Sequence, residues 1–214
     1  MKFDIVLAGV GGQGNILASR VLARAALSKG LQVRTSESIG MAQREGPVTS
    51  HVRMGTQLYG AIIPNRQADL IIGLELAETV RALPKLKPNG VVVASTLCIE
   101  PVTVMLGQSS YDREGLLAYL KQRVADVVLV DADGLARQAG NVRAANSVLL
   151  GVVAALPGLL PFAGEVLEQA LLNTVKPKLR EVNSRAFALG RQALEEKRRS
   201  EKRNGNEEGG RQSV

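Results

Sequence analysis

The sequence is poor in the residues that hold metal centres and disulfides. Its 214 residues include one cysteine, Cys98, and one histidine, His51. One cysteine cannot form an intrachain disulfide or supply the thiolates of an iron–sulfur cluster, and one Cys with one His is a poor ligand set for zinc. We therefore expect no metal site in this chain and interpret Cys98 as a small buried apolar residue. The lack of disulfides favours a cytoplasmic location.

Aromatic residues and long apolar runs are also scarce. Aromatics make up 3% of the chain and there is no tryptophan, so the sequence offers little for stacking against nucleic-acid bases. The most apolar run, residues 147–162, is interrupted by Pro157 and Pro161 and is too short to span a bilayer. We therefore expect neither a membrane nor a nucleic-acid partner.

Basic charge is abundant and concentrated near the end of the chain. The formal net charge is +7, and residues 197–203 supply much of the excess. We expect one domain over residues 1–196, followed by a basic, disordered tail over residues 197–214. A nucleic-acid-binding protein that uses this tail is a secondary alternative, which steeply salt-dependent binding of DNA would support.

Short apolar segments alternate with helical patterns along most of the chain. This alternation predicts an α/β fold: a Rossmann-like, doubly wound, mostly parallel sheet with C-terminal helices. The alternating residues 48–54, a turn at 55–57 and the segment 58–63 predict a β-hairpin, which is either added at one sheet edge or extends as an arm towards a partner. A further short strand is expected over residues 101–106, and Asn146 is expected to cap a helix.

A glycine-rich loop lies between the first predicted strand and the first predicted helix. Gly9, Gly11 and Gly14 match G-x-G-x-x-G in the strand–turn–helix context that this motif requires, and Gly12 and Gln13 complete the loop. Such a loop brings backbone N–H groups and a helix N-terminus close to an anion. The same glycines can equally serve a tight packing turn or a subunit interface, so we interpret residues 9–14 as a ligand or interface loop.

Glu37 follows the second predicted strand, about where the ribose-binding acid of a dinucleotide fold would lie. A free-standing NAD(P)-dependent dehydrogenase is therefore an alternative function. The sequence shows no obvious Tyr/Lys or His/Asp catalytic pair further along the chain, which argues against it.

A long polar and glycine-containing segment follows Glu37. It includes Gln43, Arg44, Glu45 and Gly46 and leads through Ser50 into the next strand. Loops at the carboxyl ends of strands often hold functional residues in α/β proteins, although salt bridges that order the loop explain these charges as well. His51 and Arg53 share one strand face and are weak candidates for a catalytic, substrate-binding or partner-binding role. A lone histidine is more often a structural hydrogen-bonding residue.

Residues 9–14 and 37–55 together resemble the gamma subunit or gamma domain of 2-oxoacid:ferredoxin oxidoreductases, which include pyruvate, 2-oxoglutarate and ketoisovalerate enzymes. The likeness extends through Asn146 and residues 149–151 to about residue 195. The short form with its tail looks most similar to the small subunit of the indolepyruvate type.

This resemblance implies an accessory subunit that is inactive alone and helps to build a catalytic interface. The complete enzymes of the family decarboxylate a 2-oxoacid oxidatively, form an acyl-CoA and reduce ferredoxin. Thiamine diphosphate, Mg²⁺ and the iron–sulfur clusters are then expected on partner subunits, with none of these cofactors bound by this chain alone and CoA as a co-substrate. The resemblance does not identify the 2-oxoacid.

Overall fold

The computed structural model describes residues 1–40 and 46–211, with side chains through residue 200. Three 3-10 turns lie at Leu83–Lys85, Val142–Ala144 and Pro177–Leu179. The described strands and helices are, in chain order, β1 (Lys2–Val10), α1 (Asn15–Ser28), β2 (Gln32–Ile39), β3 (Pro47–Gly55), β4 (Ala68–Gly73), α2 (Leu76–Ala82), β5 (Leu86–Ser95), α3 (Val102–Met105), α4 (Arg113–Arg123), β6 (Asp126–Val130), α5 (Ala132–Ala139), α6 (Ala145–Ala155), α7 (Gly164–Thr174) and α8 (Arg180–Arg211).

The described strands form one sheet in the order β2-β3-β1-β4-β5-β6. Strands β1, β4, β5 and β6 are parallel to their neighbours in this series, whereas β3 is antiparallel to both β1 and β2. From Asp4 to Val10, β1 is buried on both faces, as expected for a central parallel strand. The predicted α/β class with a mostly parallel sheet is confirmed.

The predicted hairpin over residues 48–63 is wrong in its second half. Residues 58–63 form no strand, and β3 lies inside the sheet rather than at its edge. The antiparallel addition is instead the pair β2 and β3, with β2 at the edge. Residues 58–63 are instead a loop in which Leu58 and Ile63 are buried, while Tyr59 and Ile62 are exposed.

Two other local predictions differ from the structure. Residues 101–106, predicted as a strand, contain helix α3, which begins directly after Pro101. A strand here could not pair with β5, because β4 and β6 occupy its two sides. At the C-terminus, α8 extends to Arg211. The domain boundary at residue 196 and the disorder of the following tail stay predictions.

Helices cover both faces of the sheet. Helices α1 and α5–α8 pack on one face around Ile5, Leu7 and Phe187, and α2 and α4 pack on the other around Val6, Ile71 and Leu120. The fold is therefore doubly wound. Among the described residues, no helix is both long enough and apolar enough to cross a membrane.

A buried ion pair joins β3 to β1 on the face that α2 and α4 cover. Arg53 Nε lies 3.0 Å from Asp4 Oδ1, and its Nη2 lies 3.2 Å from Oδ2, so the contact is bidentate. The Asp4 side chain has no exposed surface and that of Arg53 is 11% exposed. Arg53 Nη1 also donates to the Gly60 carbonyl at 3.0 Å. Arg53 therefore holds both the sheet and the loop that follows β3.

His51 fastens the same loop. It is buried, and its Nδ1 accepts a hydrogen bond from the Ile63 N–H at 3.4 Å. Burial lowers the pKa of His51 below its usual value, and the positive charges of Lys85 and Arg53 lower it further, against an opposing effect of Asp4. His51 and Arg53 share a face as predicted, and both contact the loop over residues 60–63. Their suggested catalytic role stays a prediction.

We expect His51 to make stability depend on pH. Because the folded-state pKa lies below the unfolded value of about 6.5, the unfolded chain binds the proton more readily. The contribution of neutral His51 to the free energy of unfolding is then fully present above about pH 6.5. It falls as the pH decreases below about 6.5, by up to about 1.4 kcal/mol per pH unit. In His51→Asn, which keeps an acceptor near the Nδ1 position, this slope should disappear. Denaturant unfolding of both proteins between pH 5 and 8 measures it, and equal slopes would contradict the expectation.

Helices α6 and α8 approach so closely that two glycines are required at their crossing. A Cβ on Gly151 would lie 2.0 Å from the Phe187 carbonyl oxygen, and one on Gly190 would lie 2.0 Å from the Val148 carbonyl oxygen. The neighbouring atoms are backbone and cannot move aside without shifting a helix.

Gly190→Ala should therefore lower the free energy of unfolding by about 1–3 kcal/mol, despite the better helix propensity of alanine. Glu195→Ala, at an exposed position of the same helix, is the matched control and should change stability by less than about 0.5 kcal/mol. Denaturant unfolding compares the two. A neutral or stabilising Gly190→Ala would show that the helices can separate at little cost.

Candidate functional site

The glycine loop lies at the carboxyl end of β1 and is fixed by the Gln13 side chain. Gln13 Oε1 accepts from the Val10 N–H at 2.8 Å, and its Nε2 donates to the Leu74 carbonyl at 3.0 Å. Gln13 therefore joins the end of β1 to the segment after β4. A Cβ at position 9 would lie 2.5 Å from Gln13 Oε1, so a larger residue there would displace the Gln13 side chain and break these two hydrogen bonds.

Two asparagines hold the start of α1. Asn15 Nδ2 donates to the Val48 carbonyl on β3 at 2.8 Å, while Asn146 Nδ2 donates to the Gly14 carbonyl at 3.2 Å. Gly14 has φ +84°, and a Cβ there would lie 2.3 Å from Asn146 Nδ2. The prediction that Asn146 caps a helix is therefore wrong, because α6 follows Ala144 without a side-chain cap and Asn146 contacts the glycine loop instead.

The structure brings the two sequence motifs together. The Gly11 N–H donates to the Gly46 carbonyl at 2.9 Å, immediately before β3, and the Gly40 N–H donates to the Pro47 carbonyl at 2.8 Å. Gly12, with φ +91°, has no atom within 4 Å of a would-be Cβ and forms the open tip of the loop. Gln43, Arg44 and Glu45 lie outside the described residues, so their roles stay predictions.

A crevice of about 260 Å³ opens beside this loop at the carboxyl ends of β1, β4 and β5. The chain runs from β1 to one side of the sheet for β2 and β3, then crosses to the other side for β4. Such a reversal of direction is where open α/β sheets bind ligands. Residues from five segments line the crevice: Gly11, Gly12, Gln13, Leu74, Ser95, Leu97, Ile99, Asp133, Val142, Arg143, Ala145 and Leu149.

The crevice contains charges of both signs. Arg143 supplies a cation beside the open glycine loop, and Asp133 supplies a carboxyl group. Burial raises the pKa of Asp133 above its usual value, with Arg137 acting against the shift and Asp131 adding to it. The volume suits a phosphate-sized group or one end of a larger ligand, since whole small-molecule sites usually occupy about 300–1,000 Å³.

Sequence reasoning missed Asp133 and Arg143 as lining residues. The position of Asp133 could have been noticed in the sequence, because it lies three residues after the end of the apolar segment that forms β6. Arg143 had no such signal, because a 3-10 turn far along the chain brings it to the glycine loop.

Glu37 and Ser50 occupy neighbouring positions on β2 and β3. The Glu37 carboxylate is exposed and accepts from Ser19 Oγ at 3.2 Å, whereas Ser50 is buried and its Oγ has no hydrogen-bond partner among the described residues. Because β3 separates β2 from β1, Glu37 lies two strand spacings, roughly 9–10 Å, from the strand that leads into the glycine loop. In a dinucleotide fold these two strands are neighbours, so the geometry argues against a ribose-binding role for Glu37.

The remaining predicted site residues do not meet at this crevice. His51 and Arg53 point to the other face of the sheet, where they hold residues 60–63. Within residues 1–40 and 46–200, no group of three or more His, Cys, Asp or Glu side chains is placed to hold a metal ion. The expectation that this chain has no metal site stays a prediction.

Comparison with known proteins identifies the relatives of this chain. A family model described as pyruvate ferredoxin/flavodoxin oxidoreductase matches residues 4–193. Indolepyruvate oxidoreductase subunit IorB of Thermococcus kodakarensis is 38% identical over 200 residues, which cover 91% of this chain and 97% of that protein. The pyruvate/ketoisovalerate oxidoreductases common subunit gamma of the same organism is 29% identical over 192 residues, covering 86% and 92% of the two chains.

Solved structures share the fold. The gamma subunit of keto/oxoacid ferredoxin oxidoreductase from Geobacter sulfurreducens is 25% identical, with a TM-score of 0.65 over 90% of this chain and 98% of that one. A chain of 2-oxoglutarate:ferredoxin oxidoreductase from Magnetococcus marinus is 20% identical, with a TM-score of 0.66 over 91% of this chain and 31% of that one. The second likeness concerns the fold alone. Together with the family model, these matches show that the chain belongs to the pyruvate ferredoxin/flavodoxin oxidoreductase family.

Proposed function

We propose that this chain is the small accessory subunit of a 2-oxoacid:ferredoxin oxidoreductase of the indolepyruvate type. The observation that supports this most is its 38% identity to an indolepyruvate oxidoreductase subunit over 97% of that subunit's length. The identity to the pyruvate/ketoisovalerate gamma subunit is lower, at 29%. The complex would decarboxylate a 2-oxoacid, form an acyl-CoA and reduce ferredoxin, with indolepyruvate as the expected substrate.

In this proposal the redox and decarboxylation chemistry belongs to the partner subunit. Thiamine diphosphate, Mg²⁺ and the iron–sulfur clusters would be bound there, because this chain has only one cysteine to offer a cluster. The complex would pass the electrons to ferredoxin. We expect the complex in the cytoplasm. This chain would complete the catalytic interface.

The crevice at the glycine loop would contribute to binding the anionic end of CoA. The Arg143 guanidinium favours a phosphate oxygen, and so does the Gly12 N–H at the tip of the loop, whereas the Gly11 and Gln13 N–H groups already donate to the Gly46 and Val10 carbonyls. With a volume of about 260 Å³, the crevice holds only part of such a ligand. The rest of the CoA site would then be supplied by the partner, which is what an accessory subunit at a shared site requires.

The dehydrogenase alternative has little support in the geometry. It needs Glu37 next to the glycine loop, and β3 lies between them. No observation on the described residues favours the nucleic-acid alternative, which rests on the charge of the tail alone.

Co-expression with a thiamine-binding partner subunit tests the proposal. We expect the two chains to co-elute in size exclusion, and viologen reduction with indolepyruvate and CoA to require both. Pyruvate, 2-oxoglutarate and ketoisovalerate serve as comparison substrates. Full activity of the partner alone would contradict the accessory role, while preference for another 2-oxoacid would contradict only the indolepyruvate assignment.

The role of the crevice is tested separately in the assembled complex. Arg143→Ala and Gly12→Ala should each raise the KM for CoA by about tenfold, the effect of losing one charge-assisted hydrogen bond or distorting one binding loop. The KM for the 2-oxoacid should change little. Arg185→Ala, which removes an exposed arginine of α8, is the matched control. An unchanged KM for CoA in both crevice variants would contradict a role of the crevice in CoA binding and would indicate that the loop serves packing alone.

A further inference from the structure

A long groove lies on the face of the sheet that α2 and α4 cover. Its volume is about 1170 Å³, much larger than the 260 Å³ of the glycine-loop crevice. Helix α2 with the turn Leu83–Lys85 forms one wall, and α4 forms the other. The floor is apolar and includes Ala77, Val80, Leu83, Leu86, Leu116 and Val124. A groove with this floor offers a surface for apolar side chains of a ligand.

The rim of the groove is basic. Four cationic side chains line it, Arg66, Arg81, Lys87 and Arg123, against one carboxylate, Asp112. The Asp112 carboxylate is already engaged, because it caps α4 by accepting from the Gly115 N–H at 2.9 Å. The rim therefore favours an occupant that is negatively charged at its edges.

Two of these cations have no carboxylate partner within the described part of the chain. Arg81 pairs with Glu78 and Lys87 pairs with Asp69, whereas no ion pair is formed by Arg66 or Arg123. The Arg123 guanidinium lies 5.2 Å from the centre of the Tyr119 ring, which holds it at the groove. Both charges are available to carboxylates of a partner.

The groove is preformed, because a buried carboxylate fixes the end that the segment 97–111 forms. Glu75 is 1% exposed, and its Oε1 accepts from the Tyr111 hydroxyl at 2.5 Å and from the Ile99 N–H at 3.3 Å. Its Oε2 accepts from the Glu78 N–H at 2.8 Å. These bonds hold the segment 97–111 against α2, so an occupant would not have to order the groove.

From the apolar floor, the basic rim and the size, we propose that this groove binds an acidic, amphipathic segment of the thiamine-binding partner subunit. The proposal rests on the proposed function, which requires such a partner. Helix α4, with residues 113–123, is about 16 Å long, so the groove accommodates two to three turns of a helix or a short extended segment. Apolar side chains of that segment would cover the floor, and its carboxylates would meet Arg66 and Arg123.

A charge-reversal experiment on the co-expressed complex tests this. The double variant Arg66→Asp with Arg123→Glu removes both unpaired cations; Asp is chosen at position 66 because Arg66 has φ +60°, a conformation that Asp tolerates well. The control variant, Arg20→Asp with Arg34→Glu, makes the same charge change at exposed positions of α1 and β2. Circular dichroism and thermal unfolding verify that both variants fold.

We expect the groove variant to bind the partner at least about tenfold more weakly, with a slower association rate, and the control to stay within about twofold of the unchanged protein. Binding of the unchanged protein should weaken as salt is added, and the groove variant should lose most of this dependence. Equal affinities of groove variant and control would overturn the proposal. If the unchanged chain fails to bind the partner at all, the proposed function itself is wrong and the groove proposal falls with it.

Crosslinking identifies the occupant directly. Photoreactive p-benzoylphenylalanine placed at position 119, in the groove, should crosslink in the purified complex to one partner peptide with acidic and apolar residues. A crosslink to a second copy of this chain, a crosslink to a basic partner peptide, or none in a complex that co-elutes would each overturn the proposal.

Discussion

The antiparallel insertion of β3 between β1 and β2 determines where the two sequence motifs and Glu37 lie. It places Gly46 and Pro47 at the carboxyl end of β1, where the Gly46 carbonyl accepts from the Gly11 N–H. The buried Asp4–Arg53 pair holds this arrangement on one face of the sheet, and removing one partner of such a pair typically costs about 3–5 kcal/mol. The same insertion moves Glu37 away from the glycine loop. One strand thus joins the two motifs and separates the loop from the acid that a dinucleotide site would need.

Much of the fold follows from local patterns in the sequence. The apolar stretches of β1, β4 and β5 and the helix α4 after Asp112 were predictable, because a buried strand and a capped helix are both recognisable from a few consecutive residues. The segment 58–63 was not, since a short apolar segment that ends in a proline can form either a strand or a loop that buries Leu58 and Ile63. Its backbone is held by the side chains of Arg53 and His51 rather than by a neighbouring strand. Those contacts are not local in sequence.

The candidate site likewise contains residues that local sequence patterns reveal and residues that only the fold brings together. The glycine loop was recognisable because its glycines and the following helix are adjacent in sequence. Asp133 and Arg143 reach the crevice only through the order of the strands and the packing of α5 and α6 on one face of the sheet. The resemblance to the gamma subunits supplied the family, which the physical pattern alone did not. A glycine loop at the carboxyl end of a central strand is compatible with several functions, so the resemblance depended on residues 37–55 as well.

The segment 97–111 lines both candidate surfaces, the crevice and the groove. Leu97 and Ile99 line the crevice, while Thr103 and Tyr111 line the groove. Because Glu75 accepts hydrogen bonds from both Tyr111 and Ile99, the two ends of this segment are fixed to one carboxylate. A partner segment seated in the groove would therefore press on the same piece of chain that walls the glycine-loop crevice. An accessory subunit built in this way would shape a shared ligand site when it docks.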